Sequence, residues 1–212
     1  MTFGDQCFIL LQKGGVSVSS IETRRSIRKF KPDEVSRDLI GQIVEAARLA
    51  PSAKNRQPWK FIAYTGAQKD SLLDVMEISL KKEQTTHALL PDSHNGLPDA
   101  FNTLKIMKSA PVTIIVININ ASSPFEPIDA DRRITEICDT LSIGAAIENM
   151  LLTAAELGIG SLWIANTCYA YDDLVKFVGE NGQLAGAVAL GYPDESPSQR
   201  PRKPLGEILK FR

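Results

Sequence analysis

Residues 144–157 read GAAIENMLLTAAEL. They form the later half of a helix predicted over 132–157, and they are apolar nearly all round. A helix without a broad polar face has to be buried on several sides. It therefore runs through the centre of the fold or lies in an oligomer interface, and the other elements must be arranged to cover it. The composition allows this: 43% of the 212 residues are hydrophobic and 23% are charged, a globular balance rather than a disordered one.

The flanking pattern supplies the covering elements. Residues 36–50, SRDLIGQIVEAARLA, place Leu39, Ile40, Ile43, Val44, Ala47 and Ala50 on one helical face and Arg37, Asp38, Gln42, Glu45 and Arg48 on the other. Ser36 is a plausible N-cap, and Pro51 stops the helix. The S-x-x-E box at Ser19–Glu22 predicts a short helix ending near Ser26. Strands are expected at 60–65, 112–119, 160–165 and 183–192, and further helices at 67–84, 99–109 and 170–179. Polar loops fill 85–98 and 121–130, and the proline-bearing C-terminus reads as a tail lying on something. Helices precede the first strand, which favours an α+β layer fold over a doubly wound one. The expected organisation is a lead-in over 1–18 and a single domain over 19–212.

Cys7, Cys138 and Cys168 are widely spaced, and no CxxC pair occurs. A disulfide framework and a zinc site are not expected. There is no basic leader at the N-terminus and no uninterrupted apolar run of the ~18 residues that a membrane span needs. The expectation is a cytoplasmic protein with no membrane association.

Four stretches could carry chemistry. In RRSIRKF and the following Lys31, five of the eight residues from Arg24 to Lys31 are cationic, in a chain of net charge −1. A neutral total argues against a nucleic-acid partner. The packet is either a solvated helix C-terminus or a site for a small anion, for which arginine forks and the Ser26 hydroxyl are suited. PSAKNRQPW at 51–59 is a helix-stop loop or a rigid set of hydrogen-bonding groups for a planar polar ligand, with Trp59 in the core. LGIGSLWIAN at 157–166 has Trp163 where a dinucleotide fingerprint needs its third glycine, and it enters a strand instead of opening a helix. SQRPRKPL at 198–205 is a solvated basic tail or the return of the chain to complete the anion site. No Ser-His-Asp or Cys-His set is legible. His87 and His94 read as surface residues, and Asp139 and Glu148 receive no acid–base role.

Taken together and in order, RRSIRKF, APSAKNRQPWKF, the helix ending LLTAAELGIGSLWI, and ALGYP followed by RPRKPL resemble the nitroreductase family of FMN-dependent oxidoreductases over residues 21 to 209. The resemblance implies an α+β fold with a central mixed or antiparallel sheet wrapped by helices. It also implies an intertwined homodimer with FMN at the subunit interface. Carried over, Arg24, Arg25, Ser26 and Arg28 contact FMN, and Arg200 and Arg202 complete the phosphate site. Pro51, Ser52, Ala53, Asn55 and Gln57 reach the flavin from the partner chain, while Ile164, Ala165 and Asn166 lie along its ring. Relatives often carry a glycine or carboxylate among these last positions. No metal is implied. NADH or NADPH would deliver hydride and leave before a nitroaromatic or quinone-like acceptor takes the electrons, giving ping-pong kinetics. Arg28 would tune the flavin electronically, and no protein side chain need act as acid or base. Reductive dehalogenation, flavin fragmentation, or flavin binding without turnover are the alternatives. Residues 80–105 match no motif of the family.

Overall fold

The computed structural model describes residues 19–212; the lead-in, Cys7 and the side chain of Ser19 in the capping box lie outside the described residues. Helix α1 (Ser19–Thr23) is followed by an extended segment and α2 (Arg37–Arg48). Next come β1 (Trp59–Thr65), α3 (Gly66–Thr86), α4 (Leu97–Ser109) and β2 (Val112–Asn118). Helix α5 (Ala130–Glu156), β3 (Gly160–Ile164), α6 (Tyr171–Val178), β4 (Gln183–Gly191) and a short α7 (Leu205–Ile208) complete the order.

The sheet is antiparallel throughout, in the order β1-β2-β4-β3. Every residue of β2 is buried, because helices cover both faces of the sheet. Ile115 and Ile117 point to one face, where they pack with Leu72, Leu73, Met76 and Leu80 of α3 and Leu104 and Met107 of α4. Val112, Ile114 and Val116 point to the other, against Ile40, Ile43 and Ala47 of α2 and Ile143, Ala146, Ile147 and Met150 of α5. That alternation is the period-two geometry of a strand buried on both sides.

Helix α2 begins as expected, with the Ser36 hydroxyl accepting from Leu39 N–H at 3.3 Å. Helix α5 proves long and apolar enough, by length and composition, to cross a membrane. Here much of its apolar surface is taken up by α2 and the sheet, and it carries a buried carboxylate, Asp139. The 85–98 loop contains a 3₁₀ turn, Pro91–Gly96. The Glu83 carboxylate secures its approach by accepting from the N–H groups of Ala88, Leu89 and Leu90. Buried Lys69 donates to the carbonyls of Ala110 and Lys108 at 2.6 and 3.2 Å, fixing the C-terminal end of α4 to α3. Burial pulls that ammonium below its ordinary pKa.

Helix α1 stops at Thr23 instead of continuing to Ser26, because the chain from Ser26 finds better partners on the sheet. Ser26 bridges Ser161 in parallel, and Ile27 N–H donates to the Ser161 carbonyl at 2.9 Å. Phe30 bridges Pro193, and Lys31 N–H donates to the Tyr192 carbonyl at 2.8 Å. Residues 26–31 thus form a partial fifth strand along β3 and the end of β4. Two glycines make the approach close enough. A Cβ on Gly160 would meet the Ile27 side chain at 3.0 Å, and one on Gly191 would meet Pro111 Cδ at 2.5 Å and Phe30 Cδ1 at 2.9 Å.

Candidate functional site

Docking residues 26–31 on the sheet edge buries Ile27 and Phe30 and leaves the cations between them only partly covered or exposed. Arg24 pairs with Glu148 of α5 at 3.5 Å. Glu195, beyond β4, accepts from the backbone N–H groups of both Arg28 and Lys29, at 2.5 and 3.2 Å. This clamp fixes the backbone of the packet and brings the C-terminal chain across it. Arg24, Arg25, Ser26 and Arg28 then line one small cavity of about 70 Å³ with Pro197, Ser198, Gln199, Arg200 and Arg202. Of its nine lining residues five are arginines and none is acidic. Such a setting stabilises a small anion through charge-assisted hydrogen bonds.

Arg28 is shared with a second cavity of about 220 Å³. One wall is the end of β3 and the residues after it, Leu162 to Asn166; the other is Asp99, Asn102, Thr103 and Ile106 of α4. The Asn166 amide joins the walls, donating to Asp99 Oδ2 at 3.0 Å and Thr103 Oγ1 at 2.9 Å. Its own Oδ1 is buried without a protein partner, so it is free to accept from a ligand N–H. Below the site Tyr169 donates to the Ser93 carbonyl at 2.6 Å, fastening the 91–96 turn to the segment that follows β3. Cys168 is half-buried, and burial pushes its thiol above the ordinary range.

Sequence reasoning missed the α4 wall, which falls in the region that matched no motif. A signal was present. Positions 99, 102, 103 and 106 are spaced i, i+3, i+4, i+7, a single helical face, distinct from the core stripe of Leu97, Ala100, Leu104 and Met107. Its polar members look like a solvated surface until β3 is placed beside them.

Pro51, Ser52, Ala53, Asn55 and Gln57 line neither of these cavities. Their loop is nonetheless built with care. Lys54, Asn55 and Gln57 all have positive φ, near 50°. A left-handed non-glycine residue typically costs about 1–3 kcal/mol, so the surroundings must hold it. Ser52 Oγ accepts from Gln57 N–H at 3.0 Å, Gln57 Nε2 donates to Asn55 Oδ1 at 3.2 Å, and Ser142 Oγ of α5 accepts from Ala53 N–H at 3.2 Å. Trp59 packs partly buried against the α2–α5 side of the core. His87 and His94 are exposed, with ring centroids 5.5 Å apart, and among the described residues no cluster of three or more metal-ligating side chains occurs.

The fold, an antiparallel sheet between two helical layers, is shared with solved flavoproteins. A BluB-like flavoprotein from Clostridium difficile 630 is 29% identical, covers 91% of this chain and 97% of its own, and superposes with a TM-score of 0.71. The FMN-dependent nitroreductase NfnB from Mycobacterium smegmatis, solved with NADPH, shares the fold at a TM-score of 0.73 and 22% identity, over 91% of this chain and 96% of its own. YfhC of Bacillus subtilis, assigned by name to the NAD(P)H nitroreductases, is 29% identical over 190 residues, 87% of this chain and 88% of its own length. The nitroreductase family model matches residues 21–192, and the chain belongs to that family.

Proposed function

We propose that this protein is an FMN-dependent oxidoreductase that passes electrons from NADH or NADPH to a small conjugated acceptor, nitroaromatic or quinone-like. The observation that carries the reading is the five-arginine cavity joined through Arg28 to a larger cavity with hydrogen-bonding walls. The residues present fit the cofactor: a small acid-free arginine pocket suits its phosphate, and the orphaned Asn166 Oδ1 suits a ring N–H. When bound, FMN supplies the hydride chemistry. Arg24, Arg25, Ser26, Arg28, Arg200 and Arg202 hold the phosphate end, with Arg28 reaching toward the ring. Ile164, Ala165 and Asn166 border the ring, and Asn102 and Thr103 join them from α4. Nicotinamide and acceptor occupy the same cavity in turn, which makes the kinetics ping-pong.

We further infer a homodimer, with residues 19–212 of each chain acting as one unit in the cytoplasm and the 51–57 loop reaching the partner's cofactor. Ile134, Ile137 and Leu141 form an exposed stripe on α5, at 62%, 48% and 71% exposure, and Leu205, Ile208, Leu209 and Phe211 stand exposed on the tail. The chain from Leu205 on therefore does not pack on its own protomer, and apolar groups so placed favour a second copy.

Purified protein should be yellow, release FMN on denaturation, bleach with NADH or NADPH under nitrogen and recolour with a nitroaromatic or quinone. Intact FMN after many turnovers separates this reading from flavin fragmentation. A colourless protein that ignores added FMN overturns it, and light scattering that gives the mass of one 23.2 kDa chain overturns the dimer.

A further inference from the structure

The larger cavity is lined by two charged side chains, Asp99 on the α4 wall and Arg28 where it meets the arginine cavity, and every other lining residue is neutral. The two charges are differently engaged. Arg28 also lines the arginine cavity, and its Nη1 donates to the Ser26 carbonyl at 3.2 Å. On the reading above it is committed to the cofactor. Asp99 is exposed on the first turn of α4, with Oδ2 accepting from the Asn166 amide. Among the described residues no lysine, arginine or histidine forms an ion pair with it. The same Asn166 amide is anchored to Thr103, so the carboxylate is held over the cavity by a fixed group.

We infer that Asp99 sets the charge class of the electron acceptor: the site takes neutral or cationic conjugated molecules and discriminates against those bearing a carboxylate. The inference rests on the reading of this cavity as the acceptor site of a flavin oxidoreductase. A held carboxylate without an ion-pair partner, a few ångströms from the acceptor, repels an anion and attracts a cation. In a partly wet site the discrimination is about tenfold in each direction, and salt reduces it.

The test uses FMN-loaded protein and three matched acceptors: 4-nitrobenzoate, 4-nitrobenzamide and (4-nitrobenzyl)trimethylammonium. The readout is the ratio of kcat/KM for each charged acceptor to that for the amide, which cancels general effects of a substitution. Asp99→Asn keeps an acceptor for Asn166 while removing the charge; it should raise the anion-to-amide ratio about tenfold and lower the cation-to-amide ratio. Asp99→Glu should keep the wild-type ratios. Dissociation constants of the non-reducible pair benzoate and benzamide should move in parallel with the first ratio. In the wild-type protein the anion-to-amide ratio should rise with ionic strength, a measurement that needs no variant to fold. Ratios unchanged in Asp99→Asn, all acceptors shifting together, or a flat salt response would each overturn the inference while leaving the oxidoreductase reading intact. Flavin-loaded wild-type protein that reduces none of the three acceptors overturns that reading, and the inference with it.

Discussion

Arg56 reaches 83 positions along the chain to Asp139, its Nε donating to Oδ1 at 2.8 Å. Nη2 lies 2.7 Å from the same oxygen, and the carboxylate is only 1% exposed. The other oxygen accepts from Asn120 Nδ2 at 3.2 Å. One carboxylate on α5 therefore secures both the 51–58 loop and the start of the 119–130 loop. Ser142, one turn further along α5, holds Ala53.

Asp139→Ala should lower the thermal unfolding midpoint by several degrees, because it leaves a partly buried guanidinium and an amide without their acceptor. It should also weaken FMN binding, although Asp139 lines neither cavity. Calorimetry and a flavin titration check the two effects. A destabilised variant with undiminished FMN affinity would dissociate the left-handed loop from the cofactor site.

The two ends of the proposed cofactor site should respond differently. Replacing Arg200 and Arg202 together with Ala should weaken FMN binding by several kcal/mol, at about 1.5–3 kcal/mol for each charge-assisted bond lost. With excess FMN restored, its midpoint potential should stay near wild type. Arg28→Ala removes the one arginine shared with the larger cavity and should lower the potential by tens of millivolts, since ~1.4 kcal/mol of preference for reduced flavin corresponds to about 30 mV. Spectroelectrochemical titration of both variants reads this directly. An unchanged potential in Arg28→Ala places that side chain away from the ring.

Gly191→Ala should cost about 1–3 kcal/mol, the range for overpacking, because the new methyl collides with Pro111 and Phe30. The strain falls on the partial strand 26–31. Amide exchange at Ile27 and Lys31, whose N–H groups bond Ser161 and Tyr192, should accelerate more than exchange in β2. Uniform acceleration would mean that the segment is not separately docked.

Glu77 bridges α3 and α4, accepting from Lys108 and Lys81 at 2.5 and 2.6 Å. Hydrogen bonding to Lys108 first, then to Lys81, holds its carboxyl down at about 2, against 4.5 for the free group. A depressed carboxylate contributes stability above its unfolded pKa and loses that contribution as the pH falls through the folded one. The contribution should therefore fade between pH 4.5 and about 2. Glu77→Gln should make acid unfolding less steep in that window. Identical acid-unfolding profiles for the two proteins would remove this pair from the account.

The sequence by itself determined the local elements, because their signals lie within a few residues of one another. Ser36 and Pro51 bound α2, the apolar-rich VTIIVIN run marks a strand, and GAAIENMLLTAAEL marks a helix that must be enclosed. The arginine packet was legible as cationic, and the order of the motifs carried the family. Only the tertiary structure decided what those charges face. Arg25 and Arg202 meet in one cavity because Ser26 pairs with Ser161 and Glu195 clamps the packet. That pairing also ends α1 early, since sheet hydrogen bonds replace the helical ones that local propensity favours. The polar face of α4 becomes a cavity wall for the same reason. Asp99, Asn102 and Thr103 are surface residues by their own pattern, and it is the chain beyond β3, anchored through Asn166, that turns their face into a cavity wall. Propensity is set by neighbours in sequence, whereas convergence is set by strand order and by close approach at Gly160 and Gly191, and neither acts until the sheet has formed.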